Sequence, residues 1–157
     1  MKKIILIALS LCLLFCFSCS KKARDDISTE NIAIQVSEHM ENYSEMEQCS
    51  QIYLSEVFGI DTENSVDYVA MRSIDARVDQ FCIIKTKDEK TAKELCQEVK
   101  EKIGNLSREW DGRYFPEENE KIASAGAIYC GRYVLVTVLS DVETRNVQSQ
   151  FKNIIYS

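Results

Sequence analysis

The pattern of apolar positions divides the chain in two. Residues Ile4 to Phe17 form an apolar run without a single charge, whereas beyond Ser18 apolar residues recur only at intervals. In the second part, Ser28 or Thr29 can cap a helix whose stripe is Ile32, Val36, Met40 and Tyr43, spaced by three and four residues. Residues 44–49 read as a break. A second, short helix from about Ser50 to Phe58 carries Ile52, Tyr53, Val57 and Phe58, with Gly59 as its left-handed cap and Ile60 as the hydrophobic residue that follows. Val66 to Arg72 and Val78 to Lys85 read as strands joined by the polar link Ser73 to Arg77. Asp88 caps a long helix with a stripe of Ala92, Leu95, Cys96, Val99, Ile103 and Leu106, extended by Trp110. Gly104 marks a point where that helix can kink. Pro116 suits the first turn of a short helix, with Glu117 and Glu118 at its positive end. Ala127 to Cys130 and Tyr133 to Leu139 flank Gly131-Arg132, a two-residue loop with Gly first, as a type II′ turn prefers. Ser140 and Glu143 form a capping box for a last helix with a stripe of Val142, Val147 (or Asn146), Phe151, Ile154 and Ile155.

The order strand-strand-helix therefore occurs twice, Val66 to Leu106 and Ala127 to Ile155. It predicts an α+β fold in which two such units form a four-stranded, mainly antiparallel sheet with helices on one face and additional N-terminal helices. Val134, Val136 and Val138 can face the helices. Tyr133, Leu135 and Leu139 then point the other way, beside Phe81 and Ile83 or Cys82 and Ile84. An apolar second face must be covered or used. The N-terminal helices are the economical cover, and a partner or ligand is the alternative. The candidate binding surface is accordingly Phe81, Tyr133 and Leu135, or the aromatic end of the long helix around Trp110, Tyr114 and Phe115.

The N-terminal run would make about 21 Å of helix, short of a ~30 Å hydrocarbon core. Lys2 and Lys3 ahead of it and Ser18 behind it describe a signal peptide. Its end resembles the lipobox of bacterial lipoproteins, with Cys19 as acceptor, although Cys16 and Phe17 depart from the usual aliphatic and small residues. That resemblance implies a diacylglyceryl anchor on Cys19, with two acyl chains giving stable attachment to the outer face of the cell membrane. An uncleaved signal anchor would place the domain on the same side. The expected organisation is signal peptide 1–18, lipidated tether 19–28 and one α+β domain 29–157.

Charge and chemistry narrow the function less. The formal net charge is −6, which disfavours nucleic acid. Seven Cys are present. Once a signal and Cys19 are set aside, Cys49, Cys82, Cys96 and Cys130 remain, without close pairing and in apolar neighbourhoods. They read as buried thiols, with structural disulfides as the alternative. A single His, His39, reads as a helix-flank residue, and neither a zinc site nor another metal or cofactor is expected. Asp75, Asp79, Asp111, Glu117, Glu118 and Glu120 read as a solvated acidic surface rather than a catalytic carboxylate pair. The expectation is a non-catalytic binding module for a protein or cell-wall partner, against the alternative of a thiol-redox or carboxylate enzyme outside the cytoplasm.

From about Leu54 to Ile155 the chain also resembles a family of uncharacterised Gram-positive lipoproteins that carry a domain of unknown function. The resemblance lies in Val57-Phe58-Gly59-Ile60-Asp61, in Val66 to Met71, and in Phe81-Cys82-Ile83-Ile84-Lys85 before the long helix. It continues in Tyr114 and Pro116-Glu117 before Ile122, and in Arg132-Tyr133-Val134-Leu135 before Ser140-Asp141. It implies an α+β domain at the cell surface and brings no catalytic residues.

Overall fold

The structure, a computed structural model, describes residues 22–113 and 115–157. Cys19 and Tyr114 lie outside the described residues. The elements are α1 (Thr29–Ser37), β1 (Met46–Gln48), α2 (Gln51–Phe58), β2 (Ser65–Ser73), β3 (Gln80–Thr86), α3 (Glu89–Glu109), α4 (Asn119–Ser124), β4 (Gly126–Cys130), β5 (Tyr133–Val138) and α5 (Asp141–Ile155). Among the described residues no helix is long and apolar enough to cross a membrane.

Local chemistry sets the boundaries. The side chains of Ser28, Ser50, Asp88 and Ser140 each accept a main-chain N–H from the first turn of α1, α2, α3 and α5. Gly59 ends α2 at φ +67°, and Ile60 follows it into the core. In the β4–β5 turn only Gly131 takes a positive φ, as a type II′ turn requires. Gly104 does not interrupt α3, which runs unbroken for 21 residues. The first helix stops at Ser37, earlier than its apolar stripe, and Met40 reaches the core from the turn that follows.

The sheet has five strands in the order β1-β2-β3-β5-β4, every pair antiparallel. The two expected hairpins are its body, joined by β3 against β5. The extra strand lies where a break was expected. Met46–Gln48 is short and polar, and it is held by pairing to Met71–Ser73 rather than by its own pattern.

The helices of the two units, α3 and α5, lie on opposite faces of the sheet rather than on one. Both faces of β5 are apolar, so a single helical layer would leave one of them wet. On one face, Ile32, Ala33 and Val36 of α1 and Val147, Phe151 and Ile155 of α5 pack on Phe81, Ile83, Tyr133 and Leu135. On the other, Leu54 and Phe58 of α2 and Ala92, Cys96, Val99 and Ile103 of α3 pack on Cys82, Ile84, Val134 and Val136. Ile52 and Val142, expected in helix stripes, are exposed. Leu54 and Thr144 take the inward places on those helices.

The expected tether is partly ordered against the domain. Ile27 is buried, the Arg24 N–H donates to the Ile155 carbonyl at 2.8 Å, and the Tyr133 hydroxyl donates to the Ile27 carbonyl at 2.7 Å. Ala23 lies so close to the β4–β5 turn that a Cβ on Gly131 would stand 2.6 Å from its Cβ.

Candidate functional site

Burial removes the first candidate surface. Phe81 is 2% exposed, and Tyr133 and Leu135 are fully buried. They are core residues beneath α1 and α5, so they present no surface to a partner. The expectation that N-terminal helices cover this face holds for α1. α2 packs on the opposite face, and α5 completes the cover.

The second candidate, Trp110, stands differently. α3 ends at Glu109, and the indole that follows is half-buried. It packs with Leu106 on the core and also walls a cleft of about 310 Å³. The indole N–H donates to Asn119 Oδ1 at 2.8 Å, which fixes the ring against the start of α4. Tyr53 and Val57 of α2 form the facing wall, and Arg72, Gln80 and Asp79 come from the adjoining ends of β2 and β3. Phe115 is exposed.

Each polar group of the cleft is held in place. The Tyr53 hydroxyl donates to Gln80 Oε1 at 2.8 Å. The Arg72 guanidinium lies 5.0 Å from the centre of the Tyr53 ring and pairs with Glu47 at 2.7 Å. Arg77 bridges Asp75 and Glu45. The Ser73 hydroxyl, then the Arg77 main-chain N–H and guanidinium, hold the Asp75 carboxyl down to about 2. Behind the cleft, Lys121 Nζ lies 2.7 Å from Asp79 and 3.1 Å from Glu118. Glu118 also accepts the Val78 N–H at 3.1 Å. Burial pulls the Lys121 ammonium down, but the two carboxylates outweigh it and leave its pKa above the ordinary lysine value.

The acidic groups around the cleft are held in ion pairs. Asp79 and Glu118 meet, but both clamp one ammonium. Asp111 is paired with Arg113, and Asp75 with Arg77. Among the described residues no group of three His, Cys, Asp or Glu could hold a metal ion. His39 is exposed in the turn after α1. The four cysteines are free and buried. Burial pushes the Cys49 thiol up to about 11, and pushes those of Cys82, Cys96 and Cys130 above the ordinary range, so none is an activated nucleophile. Cys49, just past β1, and Cys82 of β3 flank Ala70 of β2: the Cys49 N–H donates to the Ala70 carbonyl, and Ala70 pairs with Cys82. Two strand spacings put their Cα atoms about 9.5 Å apart, beyond the ~7 Å limit for a disulfide.

The family model described as Domain of unknown function (DUF4358) matches residues 38–139. The chain belongs to that family. The DUF4358 match takes in β1 and both hairpins and stops before α5, so it begins earlier and ends earlier than the resemblance legible in the motifs. It contains Tyr53, Arg72, Gln80 and Trp110, hence the whole DUF4358 cleft. No curated protein and no solved structure matches the chain.

Sequence reasoning singled out Trp110 but missed Tyr53, Arg72, Arg77 and Gln80. Their only signal was the pairing of aromatic and Arg residues at α2 and β2, and nothing in the order of the chain places those elements beside the end of α3.

Proposed function

We propose that this DUF4358 protein is a lipid-anchored binding module on the outer face of the cell membrane, with the Trp110 cleft as its ligand site. The observation that carries this reading is the polarity of the fold. The chain is docked from Ala23 onward at the β4–β5 turn, beside the Thr86 end of β3, where the Thr86 N–H donates to the Arg132 carbonyl. The cleft lies at the Gln80 end of the same strand, about 20 Å away. With Cys19 carrying the lipid, four residue steps separate it from Ala23, about 14 Å at most. A link that short holds the β4–β5 turn toward the bilayer and turns the cleft outward.

The cleft is at the small end of the range for ligand sites, with apolar walls and a few fixed polar groups. Tyr53 and Trp110 offer ring faces, while Gln80 and Arg72 offer amide and guanidinium hydrogen bonds. These suit a ligand with an apolar face and hydroxyl or amide groups, as in a cell-wall saccharide or a side chain of a protein partner.

The test is photocrosslinking in cells expressing the full chain, from a photoreactive residue at position 57 on the cleft rim or at exposed position 142. Mass spectrometry then reads both the adduct and the N-terminus. The expected result is a diacylated Cys19 at the start and an adduct from position 57 that position 142 does not give. An intact Met1 overturns the anchor, and equal adducts from both positions overturn the site.

A further inference from the structure

We infer that the Trp110 cleft recognises an N-acetylated amino sugar, reading its acetamido group with the side chains of Gln80 and Asp79. This rests on the cleft being the ligand site and names the group that the site selects. Gln80 alternates along β3 with Cys82 and Ile84, so its side chain stands on the face that α2 and α3 cover. Arg72 pairs with it across β2 and reaches the Tyr53 ring on the same face. Asp79, just ahead of β3, lines the same cleft. Gln80 is 7% exposed and Asp79 2%.

Each of these two side chains is held by one atom and keeps another free. Gln80 Oε1 accepts the Tyr53 hydroxyl, and Asp79 Oδ2 takes the Lys121 ammonium at 2.7 Å. Among the described residues, Gln80 Nε2 donates to no group and Asp79 Oδ1 accepts from none. Neither atom is sealed in the core: among the described residues, Thr29 Oγ1 is the one fully buried side-chain N or O without a partner. Both residues line the cleft, so the two atoms open on it. The cleft therefore holds a fixed donor and a fixed acceptor on consecutive residues.

A secondary amide presents the complementary pair, a C=O and an N–H. In this assignment the acetamido carbonyl accepts from Gln80 Nε2 and its N–H donates to Asp79 Oδ1. Its methyl meets the apolar wall of Val57, Leu106 and Ile122. A peptide bond has the same pair but carries chain on both sides, and a cleft of about 310 Å³ suits an end group with only a methyl beyond its carbonyl. The sugar ring is left toward Tyr53 and Trp110, whose rings suit its C–H face, with Arg72 at hand for its hydroxyls. An unacetylated amino sugar is a poorer match. Its ammonium would meet a carboxylate that Lys121 already shares, and it would leave the Gln80 N–H groups without an acceptor.

The test titrates the full chain, reconstituted in vesicles, with di-N-acetylchitobiose, with its fully N-deacetylated form, and with cellobiose, which has hydroxyls in place of the acetamido groups. Emission of the single tryptophan, Trp110, reads binding. The acetylated disaccharide is expected to bind about tenfold or more tighter than either of the others, because analogues that leave buried donors unpaired are rejected. Gln80→Met keeps the length of the side chain and removes the donor. It should bring the three affinities within about threefold of one another. If it fails to fold, the comparison on the parent chain decides. A parent preference below about threefold, or one for either unacetylated form, overturns the inference and leaves the cleft as a saccharide site. So does a folded Gln80→Met chain that keeps the full preference. Emission that changes with none of the three overturns the inference together with the cleft as a site for such ligands.

Discussion

Replacing Lys121 with Met removes the ammonium that two buried carboxylates share. Asp79 is 2% exposed and Glu118 5%. Removing one partner of a buried ion pair costs about 3–5 kcal/mol, because the charge left behind is neither hydrated nor paired. Two carboxylates are stranded here, so the expected loss at pH 7 is about 4–5 kcal/mol, a large share of the ~5–15 kcal/mol that holds a domain together. At about 2–4 °C per kcal/mol, Tm should fall by about 8–20 °C. The pH dependence gives the sign. In the parent, the raised Lys121 pKa means that its contribution is complete below the ordinary value of 10.5 and is lost only as pH rises through the raised one. Urea unfolding, followed by Trp110 fluorescence and far-ultraviolet circular dichroism, measures both. Adding Asp79→Asn and Glu118→Gln should restore more than half of the loss, because Gln still offers a carbonyl oxygen to the Val78 N–H. A loss below about 1 kcal/mol would refute the reasoning.

Three other outcomes are expected. Tyr133→Phe loses the hydrogen bond to the Ile27 carbonyl. It should cost about 1 kcal/mol and speed tryptic cleavage after Arg24, which limited proteolysis reads directly. Gly104→Ala should stabilise the chain by about 0.8–1 kcal/mol in thermal unfolding, since α3 is unbroken there and the new methyl meets only Arg108. With a pKa of about 11, Cys49 is a thiolate in roughly one molecule in a thousand at pH 8. Iodoacetamide should therefore label none of the four described cysteines promptly in the native chain and all four in urea, and fast native labelling of any one would contradict their burial.

Much of the fold was legible. Alternation in Tyr133 to Val138 separates the two faces of β5 correctly, and Gly59, Gly131, Asp88 and Ser140 mark element ends that the structure keeps. What could not be read is which helix lies on which face. The stripes of α3 and α5 are alike, and both faces of β5 are apolar. Pattern alone thus put α3 and α5 on one side and gave the other to the N-terminal helices, with Phe81, Tyr133 and Leu135 as the alternative binding surface. β1 escaped notice because Met-Glu-Gln has no strand signal of its own. The cleft was legible only at Trp110. Its other walls come from α2, β2 and β3, and their meeting is decided by long-range packing.

The most direct measurement of the binding reading is the emission of Trp110, the single tryptophan of the chain. The full chain is reconstituted in vesicles and titrated with soluble fragments of cell-wall saccharide. The expected result is a saturable shift in emission that Tyr53→Ala and Arg72→Ala each weaken by about tenfold, with unfolding curves close to the parent's. Emission that does not change at any fragment concentration, or a shift that both variants retain in full, would contradict the Trp110 cleft as a binding site for such a ligand.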